Sequence, residues 1–185
     1  IFYYLMHTFD QIHLRSQPGV KYLEERYNIG QNRYTLIPGG IYIPKEPSNL
    51  PALLSLRKKK WGSSPLILSL GHVNSNRNRI TLVKSMPRVL SKYPKTKLLI
   101  IGRLDSRECV KIVDELNLKD NVLFLGEKTH SEVLKYLHIC DIEAHAFVET
   151  PWGGFGVAAQ EALAASIPVV TALPKSDKEL GPDVL

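Results

Sequence analysis

Five short apolar runs separated by helical patterns occupy residues 65–172, and this alternation limits the possible folds more than any other feature. The runs are PLILSLG (65–71), TKLLIIG (96–102), NVLFLG (121–126), DIEAHAF (141–147) and IPVVTA (167–172). Strands that are apolar along their length are buried on both faces, as they are between the crossover helices of a parallel sheet. The pattern therefore predicts an α/β fold with a doubly wound parallel sheet.

The first 64 residues have a different texture. They begin with a strand-like, a helical and a second strand-like segment, at 10–16, 18–29 and 33–40. Residues 41–64 contain three prolines and the basic run RKKK, which is typical of a connector, with a short helix expected over 52–60. The expected divisions are a strand–helix–strand segment, a connector and a main α/β domain, at 1–48, 49–64 and 65–185.

Ligands of doubly wound sheets bind beyond the carboxyl ends of the strands. Three of the five loops at that edge begin with a glycine, which lets backbone approach a ligand: Gly71, Gly102 and Gly126. Basic side chains crowd the same loops: His72, Arg77, Arg79, Arg103, Lys128 and Lys175. The edge is therefore predicted to attract an anion, and arginine forks suit phosphate oxygens. A polar turn with solvated charges is the alternative.

The loop after the fourth run, VETPWGGFG (148–156), leads directly into a helical segment. A helix N-terminus offers unpaired N–H groups, and glycines leave room for a phosphate beside them. A tight turn without a ligand is the other interpretation. Glu161 lies about two turns inside that helix, among alanines. It either faces solvent or accepts hydrogen bonds from a ribose diol.

Charge and motif content exclude several other classes. The formal net charge of +6 fits nucleic acid, an anionic membrane or a phosphorylated small molecule. Because the basic residues collect at strand ends and form no helical stripe, a nucleic-acid-binding module is disfavoured. The first strand lacks G-x-G-x-x-G, which argues against a dinucleotide dehydrogenase. Neither Cys109 and Cys140 nor the six histidines have metal-ligand spacing, and no metal or other cofactor is expected.

The order of these pieces resembles the retaining glycosyltransferases of family 4, the group 1 class with the two-domain GT-B fold. RYTLIPGGIYIP resembles the family's hinge signature V-I-P-N-G-I-D, and LILSLGHVNSNRNR resembles the segment that opens the donor-binding domain. GFGVAAQEALAASIPVV resembles G-F-G-L-V-x-L-E-A-M-A-x-G-x-P-V-V. The resemblance implies transfer of a sugar from a nucleotide-diphosphate sugar to an acceptor, with retention and without a metal ion.

The resemblance also assigns roles to residues. The donor diphosphate is expected to contact His72, Arg77, Gly154, Phe155 and Gly156. The base is expected near Gly102, Arg103, Gly126 and Lys128. Glu161 matches the second of a pair of Glu residues and is expected to hold the ribose. Gly153 stands at the first, sugar-binding position, so Glu149 and Gly153 are the donor-sugar candidates. The candidates for catalysis are Arg77 and Glu161.

The resemblance covers the middle and C-terminal parts of a family member. It implies that 1–48 is the last strand–helix–strand unit of an incomplete N-terminal acceptor domain, and that 65–185 is a donor-binding domain truncated at its C-terminal end. The isolated chain is therefore expected to bind a nucleotide sugar without turning it over, and a non-catalytic nucleotide-sugar-binding domain is the alternative function. The apolar opening IFYYLMHTF is too short for a membrane helix. We expect a cytoplasmic protein with a glycan or lipid-linked acceptor, and a peripheral contact with the inner face of a membrane through the full-length protein.

Overall fold

The computed structural model describes residues 2–14, 17–37, 40–43, 45–74, 77–146 and 156–171. These residues belong to two units. The first unit contains 2–14, 17–37, 40–41 and 156–157 of them, and the second contains 42–43, 45–74, 77–146 and 158–171. The division after residue 41 places the whole of the expected connector, 49–64, in the second unit. No helix among the described residues is both long and apolar enough to cross a membrane.

The first unit contains the predicted strand–helix–strand arrangement. Its elements are α1 (Phe2–Thr8), β1 (Ile12–Leu14), α2 (Gln17–Tyr27), a 3-10 turn (Gln31–Arg33) and β2 (Tyr34–Leu36). Strands β1 and β2 are parallel, with Ile12 opposite Tyr34. Val20 and Leu23 of α2 are buried, as their helical spacing predicts. Helix α1 was not expected from the sequence.

The second unit is built around a five-stranded sheet, and it confirms the doubly wound parallel prediction. Its elements are α3 (Leu50–Trp61), β3 (Leu66–Leu70), α4 (Arg79–Lys92), β4 (Lys97–Ile101), α5 (Glu108–Glu115), β5 (Val122–Phe124), α6 (His130–Ile139), β6 (Ile142–His145), α7 (Val157–Ala164) and β7 (Val169–Thr171). The first residue of α7, Val157, is assigned to the first unit. All neighbouring strands are parallel, in the order β5-β4-β3-β6-β7. The chain therefore reverses its direction of strand addition between β3 and β6, which is where such sheets bind ligands.

Two apolar clusters cover the two faces of this sheet. Side chains of α6 and α7 pack on one face with the β3 residues Leu66 and Leu68, and Leu53 and Trp61 of α3 join them. On the other face, side chains of α4 and α5 pack against Leu98. The two clusters explain why β3 and β4 are almost entirely apolar.

Local sequence signals fix where helix α6 begins. The Thr129 hydroxyl accepts a hydrogen bond from the Glu132 backbone N–H, and the Glu132 carboxylate accepts one from the Thr129 backbone N–H at 2.9 Å. This reciprocal capping satisfies two N–H groups that would otherwise lack partners. The hydrogen bonds that the Thr129 backbone N–H and hydroxyl donate to the Glu132 carboxylate also hold the pKa of Glu132 below its ordinary value. The cap sets the direction in which His130, the next residue, leaves the edge of the sheet.

Candidate functional site

The carboxyl ends of β3 and β4 approach each other closely. Gly102 has a φ of +146°, and a Cβ placed there would lie 2.2 Å from the Gly71 carbonyl oxygen. Its N–H donates to the Gly126 carbonyl at 2.9 Å, so the three loop glycines are neighbours. Glycine is needed at position 102 because any side chain would collide with backbone. The predicted base-proximal residues Gly102 and Gly126 therefore lie together at one edge of the sheet.

Arg79 lies inside the second unit, at the start of α4, with 1% of its surface exposed. Its guanidinium donates hydrogen bonds to the Ser69 hydroxyl and to the Leu70 and Gly71 carbonyl oxygens. Burial lowers the pKa of Arg79 to about 10. The prediction that Arg79 belongs to the anion-attracting rim is wrong, because its donors are directed at the end of β3.

Arg77 is the half-buried guanidinium of this region. Its backbone N–H donates to the Asn74 side-chain oxygen at 3.2 Å, in the turn after β3. Its Nη1 lies 3.3 Å from Nε2 of His145, at the end of β6. Burial lowers the pKa of Arg77, and the nearby charge of Glu143 opposes that shift. The structure thus places Arg77 at the β3–β6 reversal point.

Two polar side chains of β6 lie directly behind Arg77. Glu143 is 0% exposed and His145 is 1% exposed, and Glu143 Oε1 lies 3.2 Å from His145 Nδ1. The sequence predicts His145 near the end of the fourth apolar run, either as a structural strand-end histidine or in contact with a bound sugar, but it gives Glu143 no role. A carboxylate inside an otherwise apolar strand was the signal that could have identified Glu143, because burying it without partners is costly.

The loops after β3 and β4 form a second, more exposed group of charges. Asp105 accepts a hydrogen bond from Arg103 Nε at 2.5 Å, and its other oxygen lies 3.3 Å from His72 Nδ1. The hydrogen bond from Arg103 is the main reason that the pKa of Asp105 is lowered, and His72 adds to it. His72 and Arg103, assigned separately to the diphosphate and the base, are therefore joined by a carboxylate that the sequence analysis did not single out.

Glu161 contacts another side chain and does not extend into solvent. Its side chain is 13% exposed, and Oε1 lies 3.1 Å from Nε2 of His130. The ring of Tyr42 packs edge-on against the His130 ring, with centroids 5.4 Å apart. The solvent-facing interpretation of Glu161 is wrong. His130 and Tyr42 were missed because they are far from Glu161 in the sequence.

The remaining predicted residues have fewer described contacts. Lys128 lies in the loop before α6, with Nζ 3.5 Å from the Glu127 carbonyl oxygen. Gly156 directly precedes α7. Glu149, Gly153, Gly154 and Phe155 lie outside the described residues. Within the described ranges, no three histidine, cysteine or carboxylate side chains form a group that could hold a metal ion.

Comparisons with known proteins agree with this fold. The family model described as "Glycosyl transferases group 1" matches residues 55–178. The Anabaena protein HepE, whose structure was solved with UDP-glucose, superposes with a TM-score of 0.72 at 18% sequence identity. The superposition covers 89% of this chain and 45% of HepE. The neighbouring structures are GT-B glycosyltransferases, so the predicted fold class is confirmed.

Two relatives extend the comparison at the sequence level. An uncharacterized glycosyltransferase of Methanocaldococcus jannaschii is 27% identical over 178 residues, which are 94% of this chain and 41% of that protein. A Corynebacterium glutamicum enzyme, named a GDP-mannose-dependent monoacylated alpha-(1-6)-phosphatidylinositol monomannoside mannosyltransferase, is 26% identical over 141 residues, 72% of this chain and 37% of that enzyme. The chain thus spans about two fifths of the length of these relatives. It belongs to the group 1 glycosyltransferases.

Proposed function

We propose that this chain is the nucleotide-sugar-binding part of a glycosyltransferase that moves a sugar from a nucleoside-diphosphate sugar to an acceptor with retention. The observation that carries the proposal is the half-buried guanidinium of Arg77 at the β3–β6 reversal point. A cation there meets a diphosphate where this class of sheet binds its ligands. The UDP-glucose complex of HepE and the GDP-mannose in the name of the bacterial relative support the same class of donor.

In this proposal, different residues at the edge of the sheet bind different parts of the donor. Arg77 and His72 hold the diphosphate, together with backbone N–H groups of 154–156. Glu161 holds the ribose, and the base lies near Gly102, Arg103, Gly126 and Lys128. Charge on the leaving diphosphate is stabilised by preorganised donors, as in other electrostatically assisted transfers. We therefore expect sugar transfer by the full-length protein to survive EDTA, and a loss of activity that Mg²⁺ restores would contradict this part.

A second candidate function is a nucleotide-sugar-binding module without transferase activity. Gly153 favours it, because the family resemblance places a sugar-binding carboxylate at that position. Turnover of labelled donor by the full-length protein, with and without Gly153→Glu, separates the two functions. A wild-type enzyme that transfers sugar excludes the binding-only function. Turnover that appears only after Gly153→Glu supports it.

The acceptor and the cellular location belong to the whole protein. We propose a glycan or lipid-linked acceptor, a cytoplasmic location and a peripheral membrane contact. Sedimentation of the full-length protein with vesicles containing anionic lipid tests the membrane contact. Failure to sediment with such vesicles would contradict it.

Donor binding is tested by thermal shift of the 185-residue chain with UDP, GDP and ADP. A ligand at about one hundred times its dissociation constant stabilises by about 2.7 kcal/mol, which is readily measured. Arg77→Ala should remove most of the shift, and Arg88→Ala, which removes an exposed arginine of α4, should leave it unchanged. If none of the three nucleotides shifts the wild-type transition, the proposed function is wrong.

A further inference from the structure

The interior strand β6 carries a buried carboxylate and a buried imidazole, and the proposed function gives neither of them a role. Glu143 and His145 are two residues apart, so their side chains lie on the same face of the strand. An unpaired buried carboxylate costs several kcal/mol, so its surroundings must compensate it. Glu143 Oε1 meets His145, while Oε2 has no hydrogen-bond partner within the part of the chain that the structure describes.

The contacts of His145 determine which of its nitrogens carries the proton. Arginine has only donors, so Arg77 Nη1, 3.3 Å from His145 Nε2, must donate to an unprotonated Nε2. A neutral imidazole with an unprotonated Nε2 carries its proton on Nδ1, and Nδ1–H then donates to Glu143 Oε1 at 3.2 Å. The carboxylate therefore selects the tautomer that gives Arg77 an acceptor.

Glu143 also balances part of the positive charge near it. Its charge opposes the lowering of the pKa of both Arg77 and Arg79. Arg79 uses its terminal nitrogens on Ser69 and on β3 carbonyl oxygens. Glu143 therefore favours the charged forms of both guanidinium groups.

We propose that Glu143 and His145 are positioning residues for Arg77. His145 holds the Arg77 guanidinium through Nε2, and Glu143 holds His145 in the required tautomer and orientation. The inference rests on the proposed function, because the ligand that Arg77 meets is the donor diphosphate. Under the competing explanation, the pair only compensates buried charge and has no effect on ligand affinity beyond its effect on folding.

Two substitutions of His145 separate these explanations. Asn places its amide near the position of Nδ1, so His145→Asn keeps the contact with Glu143 and loses the one with Arg77. Gln reaches the position of Nε2, so His145→Gln keeps an acceptor for Arg77. Affinities for inorganic pyrophosphate, and for whichever of UDP, GDP and ADP binds the wild type, are measured by titration calorimetry on the 185-residue chain. His138→Leu, on α6, is the matched control.

We expect His145→Asn to weaken binding of both phosphate ligands by about tenfold, the loss expected of one charge-assisted hydrogen bond. His145→Gln should stay within about threefold of the wild type, since it retains that bond. Equal affinities of the wild type and His145→Asn would overturn the inference, and so would an equal loss in both variants. Either result leaves the proposed function standing if Arg77→Ala still weakens binding. A wild type that binds none of the nucleotides defeats the proposed function itself.

The tautomer can also be tested without a substitution. ¹⁵N NMR of the histidine side chains of the wild-type chain should show His145 with a protonated Nδ1 and an unprotonated Nε2. The opposite tautomer would overturn the inference even if every variant failed to fold. The His145 signals are assigned in the wild-type chain by through-bond correlation of the imidazole ring with the backbone.

Discussion

The two groups of charges at the edge of the sheet differ in their solvent exposure. At the β3–β6 reversal point, Glu143, His145 and Arg79 are buried, and Arg77 is half-buried. At the outer edge, after β4, the side chain of Arg103 is 60% exposed and pairs with Asp105. Charges in a low-dielectric interior interact strongly, whereas exposed pairs are screened by water and salt. The inner group can therefore fix geometry, and the outer group is suited to attracting an anion from solution.

The largest effect is expected from removing the buried guanidinium of the inner group. Arg79→Met should destabilise the chain by about 3 kcal/mol, because the Ser69 hydroxyl and two carbonyl oxygens lose donors and Glu143 loses a nearby positive charge. Urea unfolding measures the change, with Arg88→Ala as the exposed control. A loss no greater than that of the control would show that Arg79 is not what secures the end of β3.

The next largest expected effect is a difference in salt dependence between the inner and outer groups, measured as loss of ligand affinity. Arg77→Ala is expected to weaken nucleoside diphosphate binding by about thirtyfold, because it removes charge-assisted donors from a half-buried site. Arg103→Ala should cost about threefold at low salt and almost nothing at 0.5 M NaCl (roughly a 4 Å screening length), because its charge is exposed. Titrations at two salt concentrations provide the measurement. Equal salt sensitivity of the two losses would contradict the contrast between the groups.

Substitution of Glu161 allows binding of nucleotides with and without a 2′-hydroxyl to be compared. If its carboxylate accepts hydrogen bonds from the ribose, Glu161→Gln should weaken binding of a ribonucleoside diphosphate by about tenfold, and binding of the 2′-deoxy form much less. His130→Gln should have a smaller effect in the same direction, since it retains a donor near Glu161 Oε1. Competition titrations with each pair of nucleotides measure the ratio. An equal loss of affinity for both nucleotides would contradict a contact between Glu161 and the ribose.

The smallest effect concerns acid stability at the outer edge. The pKa of Asp105 is lowered by Arg103, so its ionised form is favoured in the folded chain. That contribution is present above the unfolded-state pKa of about 4 and disappears as the pH falls through the lower folded-state value. Asp105→Asn should therefore reduce stability slightly at neutral pH, and the deficit should shrink as the pH falls below about 4. Urea midpoints measured through the acid range and at pH 7 test this, and a deficit that stays constant as the pH falls would argue against it.

The sequence predicted the sheet and most helices because a strand buried on both faces needs apolar residues that are consecutive in the sequence. Strands β3, β4 and β5 lie in nearly continuous apolar runs, and the loop after each of them begins with a glycine and contains a basic residue. The side-chain contacts within the site have no corresponding pattern in the sequence. Arg77 and His145 are 68 residues apart, and His130 and Glu161 are 31 apart, so only the fold brings them together.

Arg77 and Arg79 show where sequence reasoning fails at a smaller scale. They are two residues apart and chemically identical, yet one is half-buried at the edge and the other is buried against β3. Burial at the start of a helix depends on which way each side chain leaves the first turn, and Asn78 between them has a left-handed φ of +46°. A rim assigned from residue type alone could not distinguish them.

Glu143 and His145 also have a consequence for how the sheet is assembled. In the native register Leu68 lies opposite Glu143. Because side chains alternate along a strand, a slip of one residue would carry both polar groups to the other face of β6 and separate them from Arg77 and Arg79. For β6, such a slip would leave a buried carboxylate without compensating charge. The polar pair therefore favours the native register of β6 against β3, whether or not a donor is bound.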